Sequence, residues 1–457
     1  MTPSVDRERL GGLFARETDV FVAAHPRSRE LHLEAGHALL GGVPMNWMSR
    51  WPGPFPLFAA EAHGAEVVDV DGNRYDDFCL GDTGAMCGHS PAPTVAAVRA
   101  QVAEGITTMM PSPESVWVGR ELAERFGLPL WQLAMSATDA NRFALRVARR
   151  ITGRPKVLVF SWCYHGTVDE TFAVRDHDGR TVQRPGSVGP AVAVGDTTVA
   201  VEFNDPDVLA AELAGGEIAC VLAEPALTNI GIVLPEPGFH DTLRRLTRET
   251  GTLLIIDETH TWCAGPGGYS ALHGLEPDLL TIGKPIAGGV PAAAWGMTLE
   301  VAEAAAGSVI DTADADVAGI GGTLTANALA VAAIRATLGE VLTPSAWEPM
   351  IARAARWADG VAGVIDAAGL PWTVQRLGCR AEYWFCPPPR DGGEAAAAID
   401  HDLDAFFHLY CLNRGILLTP FHNMALMSPV TNDAQVDRHT EVFAAAVEEL
   451  LDAGALL

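Results

Sequence analysis

Lysine is almost missing from this 457-residue chain: only Lys156 and Lys284 are present, and the other cations are arginines. Positive charge as a whole is scarce, with 31 Lys+Arg against 57 Asp+Glu and a formal net charge of −26. A surface so acidic repels phosphate backbones and anionic lipid, which argues against nucleic-acid and membrane partners. The eight cysteines make no C-x-x-C pair, and there is no His cluster at zinc spacing, so no metal site is expected. No apolar run approaches the length of a membrane span. The first twelve residues bring Asp6, Arg7, Glu8 and Arg9 before any apolar stretch, unlike the core of a signal peptide. Together these absences point to a soluble, reduced, cytoplasmic protein. What is there is an ordinary globular balance, 48% hydrophobic and 19% charged, on a chain long enough for a large core and a smaller lobe.

The hydrophobic pattern divides the chain. A mixed leader with a helix over 7–21 gives way to a Gly/Pro-rich passage, and then to a hairpin whose turn is Asp71–Gly72–Asn73. From about residue 130 the texture is βαβ. Ala140, Phe143, Ala144, Val147, Ala148 and Ile151 make one helical face. The short apolar runs 156–160, 218–223, 253–256 and 279–282 are continuous rather than alternating, as in parallel strands buried on both faces. Helices are expected over 237–249 and 326–341. Beyond Thr343–Pro344 come a helix, a strand near 380–385 and helices at 400–413 and 433–451, the pattern of a smaller α+β lobe. The domains read as 1–75, an N-terminal segment and part of the small domain; 76–341, the large domain; and 342–457, the C-terminal small domain.

Several residues stand where chemistry is expected. Lys284 follows an apolar strand and precedes a Gly-rich turn, and open α/β sheets bind ligands at strand carboxyl ends. A desolvated amine there is nucleophilic, although a lysine can also snorkel from a strand end. Asp257 closes the run Leu253–Leu254–Ile255–Ile256 and needs a partner, either a structural arginine or a cationic ligand nitrogen. Ser136–Ala137–Thr138 opens the amphipathic helix, with Thr138 a candidate N-cap and the free amides suited to phosphate. Tyr164 and His165, in W-C-Y-H-G, offer rings beside a planar ligand, and Glu224 closes the strand 218–223. Gly321–Gly322–Thr323 is a second possible phosphate contact. Each alone has a plain structural explanation in capping, packing or ion pairing.

The succession S-A-T-D-A, C-Y-H-G, A-E-P, I-I-D-E-T, T-I-G-K and G-G-T-L resembles the class III aminotransferase family of fold-type-I pyridoxal-phosphate enzymes. The branch it is most similar to contains glutamate-1-semialdehyde aminomutase and the β-amino-acid aminotransferases, and the likeness covers roughly nine-tenths of the chain. It implies an α/β fold with a mostly parallel central sheet flanked by helices, and a smaller α+β domain. It also implies pyridoxal 5'-phosphate as cofactor. By resemblance Lys284 is the Schiff-base lysine, Asp257 the partner of the pyridinium nitrogen, and Tyr164, with His165 beside it, the aromatic on the ring. Ser136, Ala137 and Thr138 match the phosphate cradle, and Glu224 the acid on the phenolic side. Thr323 matches a threonine supplied by the neighbouring subunit, which implies a homodimer with shared active sites. Arg50 falls where members of this branch hold a substrate carboxylate, and His422, with Trp47, Trp51, Phe55 and Phe421, is a candidate for the substrate pocket.

The chain departs from the family in S-A-T-D-A for the usual S-G-T-E-A, in Pro285 directly after the lysine, and in Phe421–His422–Asn423 where the aminomutase pattern has glutamate after phenylalanine. The expected activity is transamination between an amino acid, α or β, and a keto acid. An intramolecular aminomutase or an epimerase uses the same carbanion without a second keto acid. A non-catalytic cofactor-binding protein and an unrelated α/β domain complete the alternatives.

Overall fold

The computed structural model describes residues 5–309 and 318–456. The chain forms two compact units. One comprises Met1–Pro91, Glu348–Pro388 and Ala398–Leu457, the other Ala92–Trp347 and Pro389–Ala397. The sequence reading draws its boundaries at 75/76 and 341/342, whereas the units divide at 91/92 and 347/348, with a short late segment joining the second.

The second unit is built on a seven-stranded sheet: β1 (Leu130–Ala134), β2 (Lys156–Phe160), β3 (Thr198–Val201), β4 (Ile218–Ala223), β5 (Leu253–Asp257), β6 (Leu279–Ile282) and β7 (Ala293–Met297), in the spatial order β1-β7-β6-β5-β4-β2-β3. Neighbours from β6 through β5, β4 and β2 to β3 run parallel, and β7 is antiparallel to both β6 and β1. β4, β6 and β7 are buried at every residue, which is why their sequences are apolar, save Thr281, instead of alternating. Helix α1 (Ala137–Thr152) lays Ala140, Phe143, Ala144, Val147 and Ala148 into the core. Its N-cap is Ser136, not Thr138: Ser136 is extended (φ −147°, ψ 161°) and its hydroxyl accepts from the Asp139 amide at 3.3 Å. Thr138 is already helical, so its Oγ1 is free to accept the Thr167 amide at 3.0 Å. The helix expected over 326–341 is regular only over Ala328–Ala336 and ends in a π turn, Thr337–Val341.

The first unit carries two small sheets. One joins Ala59–His63, Glu66–Asp69, Arg74–Asp77 and Ile416–Leu417, and the other is antiparallel, of Thr373–Leu377, Arg380–Trp384 and Met424–Leu426. The expected hairpin is present, with Gly72 at φ 89° supplying the turn. Phe21, Phe55, Tyr75, Leu409, Leu412 and Leu417 form a core cluster with Trp51 packed against it, so Phe55 and Trp51 serve the core. Trp47 and Phe421 meet edge to face at 5.7 Å, which places the segments bearing Arg50 and His422 side by side.

One buried group in this unit makes a pH-dependent contribution. His439 is enclosed by Trp357, Phe78 and Phe443, and neither ring nitrogen finds a hydrogen-bond partner. Burial pushes its imidazole down to about 3, and burial lowers His408 to about 4. An unfolded histidine titrates near 6.5, so below that pH the unfolded state binds protons that the folded state refuses. Stability therefore falls as pH drops from about 6.5 toward 3, by His439 alone on the order of 5 kcal/mol at full extent. Thermal unfolding across this range is expected to show a shallower loss in His439→Leu than in the parent chain. Equal slopes would contradict the assignment.

Candidate active site

The parallel register of β5 and β6 sets the centre of the site. Asp257 pairs with Thr281, so residues at equal distance beyond the two strand ends emerge together. Three residues on from each are His260 and Lys284, whose Nε2 and Nζ atoms lie 2.7 Å apart. The Lys284 backbone is in the left-handed region, φ 38°, and Pro285 holds the turn that follows. Gly283 is required at this corner, because a Cβ there would come within 2.9 Å of the Ala137 Cβ. The strand end bearing the lysine is thereby pressed against the start of α1.

Asp257 is 4% exposed and both of its oxygens are hydrogen-bonded, with one acceptor position left on Oδ1. Its Oδ2 lies 2.9 Å from His165 Nδ1 and accepts from Asn141 Nδ2 at 2.8 Å, and its Oδ1 accepts the Thr259 amide at 3.0 Å. Burial alone would raise this carboxyl, but the bonds from His165 and Asn141 outweigh it and hold it down, at about 2. Asn141 is in turn fixed by Thr281, whose hydroxyl donates to Asn141 Oδ1 at 2.7 Å. His165 is wholly buried. Burial opposes its charge, yet Cys163 and Asp257 carry its pKa well above the ordinary imidazole value. Asp257 is thus an ionised carboxylate kept inside the protein.

The loop after β2 supplies the rest. Gly166 at φ 76° passes so close to α1 that a Cβ would overlap Thr138. The first-turn amides of α1, at Ala137 and Thr138, lie where helix geometry leaves donors free and the helix dipole is positive. The Tyr164 ring is half-buried against Phe172, and its amide donates to Glu224 Oε1 at 3.0 Å. Glu224 Oε2 accepts the amide and the hydroxyl of Thr228, and burial raises the Glu224 carboxyl.

Lys284, Asp257, His165, Tyr164, Glu224 and Ser136–Thr138 therefore converge on the strand carboxyl ends of one sheet and one helix start. Thr323 is in the same unit, exposed in the loop before Ala328–Ala336. Arg50 and His422 belong to the other unit. Arg50 is exposed there at the end of the Asn46–Ser49 turn, and His422 is buried with its Nδ1 3.3 Å from Glu382, itself paired with Arg380. Asn141, Thr228 and His260 are absent from the sequence reading. Asn141 had a signal, a polar residue on the apolar face of α1, whereas His260 emerges only from the strand register.

The donor set fits a phosphorylated pyridine aldehyde. A buried ionised carboxylate suits a protonated ring nitrogen, a helix start with free amides suits a phosphate, and a primary amine at a strand end suits a carbonyl. A parallel α/β sheet with this centre defines a fold-type-I pyridoxal-phosphate enzyme. The class-III aminotransferase family profile matches residues 47–360, and the chain belongs to that family. It is 33% identical over 426 residues to a glutamate-1-semialdehyde 2,1-aminomutase of Brevibacillus brevis, covering 91% of this chain and 96% of that one. Among solved structures it resembles a glutamate-1-semialdehyde aminomutase from Pseudomonas aeruginosa, at 48% identity and a TM-score of 0.96, covering 98% of this chain and 99% of that one. A lysine-to-alanine variant of that protein is known in complex with PMP. A β-phenylalanine aminotransferase from Variovorax paradoxus is 27% identical with a TM-score of 0.87, covering 97% and 98% of the two chains. The protein is a pyridoxal-phosphate enzyme of the class-III aminotransferase family. Among the described residues no helix is long and apolar enough to cross a membrane, and no cluster suits a metal ion.

Proposed function

We propose that the enzyme moves an amino group between neighbouring carbons of one small substrate, as an aminomutase, and needs no separate keto acid. The observation that carries this reading is the near-complete structural likeness to the aminomutase of P. aeruginosa. It reverses the order of the sequence expectation, which set transamination first.

Bound, the cofactor supplies an electrophilic carbonyl for amines and an electron sink for a substrate carbanion. Residues 92–347 form the domain that holds it. Asp257 faces the ring nitrogen with a fixed negative charge and keeps its proton in place. His165 and Asn141 prevent that carboxylate from turning away. The Ala137 and Thr138 amides, with the Ser136 cap, bind the phosphate. Tyr164 would cover the ring, and Glu224 would serve its phenolic side. Lys284 Nζ would anchor the cofactor by its carbonyl and, as a free amine, would move a proton at the substrate's amine-bearing carbon. The resemblance alone assigns Arg50 and His422 to the substrate.

Transamination to a keto acid is the second reading, favoured by Phe421–His422–Asn423 in place of the aminomutase glutamate and by the likeness to the β-phenylalanine aminotransferase. In either case the working unit is a cytoplasmic homodimer in which Thr323 reaches the partner's phosphate. The exposed apolar side chains Ile106, Met109, Met110 and Leu324 support it, and the Ala328 amide ties their two loops together by donating to the Ile106 carbonyl at 2.9 Å.

The test is turnover of glutamate-1-semialdehyde by the holoenzyme with no keto acid present. Many turnovers per site are expected. A single stoichiometric conversion that resumes only on adding a keto acid would establish the transaminase instead.

A further inference from the structure

We propose that His260 is the proton partner of Lys284, taking a proton from the lysine ammonium when the amine must act and returning it afterwards. The proposal rests on the reading of this site as a pyridoxal-phosphate centre. It adds a residue that neither the sequence pattern nor that reading assigns.

The argument is geometric. Lys284 Nζ and His260 Nε2 are 2.7 Å apart, a full hydrogen bond, so one nitrogen donates and the other accepts. At that distance an ammonium and an imidazolium would face each other as adjacent like charges, whereas one donor and one acceptor make a favourable contact. Both partners are fixed from behind. His260 follows Asp257 by three residues on a strand end locked by the Asp257–His165–Asn141 bonds, and is 8% exposed. Lys284 is held by the Gly283–Ala137 approach and its φ of 38°. The parallel register of β5 and β6 brings the two strand ends to equal height, and the turns that follow each strand carry His260 and Lys284 into contact.

The step balances simply. A Lys284 N–H bond breaks, its proton forms a bond to the Nε2 lone pair, and the electron pair left on Nζ becomes available for attack on a carbonyl carbon or for removal of a substrate proton. The imidazolium so formed then returns its proton to the oxygen or nitrogen that leaves. No oxidant or further reactant is required. A base in hydrogen-bond contact contributes on the order of 10²-fold or more to such steps.

The test uses the full-length chain freed of cofactor and reloaded. The rate at which pyridoxal phosphate becomes bonded to lysine is followed by the visible band, and non-covalent affinity is measured separately with pyridoxamine phosphate, which forms no bond to lysine. For His260→Ala a capture rate at least about tenfold below the parent is expected, with pyridoxamine phosphate affinity within about twofold. Added imidazole is expected to restore much of the rate, a rescue that a merely structural role would not show. Capture by His260→Ala at the parent rate, or a slow rate that imidazole leaves untouched, would overturn the proposal. A parent chain that captures no cofactor would overturn the reading of the site and this proposal with it.

Discussion

Lys284→Ala is expected to lower turnover by at least about 10³-fold while leaving the fold intact and pyridoxamine phosphate still bound. The size follows from two losses at one atom. The side chain carries both the amine that anchors the cofactor and the base that moves the substrate's proton, and no second lysine lies in the site, since Lys156 opens β2 and pairs with Glu217. Stability should change by less than about 1 kcal/mol, because lysine and alanine are similarly disfavoured at φ 38° and the side chain is only partly buried. Turnover within tenfold of the parent would remove Lys284 from the mechanism.

Asp257→Ala is expected to cost both activity and stability, and Asp257→Asn to separate the two. Removing the carboxylate leaves the fully buried His165 and Asn141 without their partner, a change worth about 3–5 kcal/mol. Asparagine keeps the shape and a hydrogen-bonding oxygen, so less stability is lost. It cannot hold the ring nitrogen protonated, so turnover should still fall about 10²-fold or more. The pH dependence follows from the low carboxyl pKa. A carboxylate held at about 2 contributes stability that is complete above its unfolded value near 4 and is lost as pH falls through 2. The carboxylate's own share of the difference between parent and Asp257→Asn is therefore complete above pH 5, and because Asp257 also raises the buried His165, the difference should shrink as pH rises past the ordinary imidazole range. A difference that grows between pH 5 and 8 would contradict this account.

Much of the site is legible in sequence because chemistry and burial conflict there. Asp257 ends a run of four apolar residues, and Lys284 is one of two lysines in a chain that otherwise uses arginine. Strands β2, β4 and β6 are legible for the same reason, since only two-sided burial permits uninterrupted apolar runs. The cap of α1 is displaced by two residues, because Ser136 and Thr138 are chemically interchangeable as caps and only the backbone angles distinguish them. The antiparallel placement of β7 leaves no mark either, since Ala-Ala-Trp-Gly-Met is as apolar as its parallel neighbours. His260 is the clearest omission. Its role depends on which residue of β6 lies beside Asp257, a pairing that local sequence does not encode.

The most direct measurement of the central claim is to reduce the holoenzyme with borohydride, digest it and locate the phosphopyridoxyl group by mass spectrometry. With only two lysines in the chain the result is unambiguous. The account predicts the group on Lys284 and none on Lys156. A group on Lys156, or on neither lysine, would contradict it.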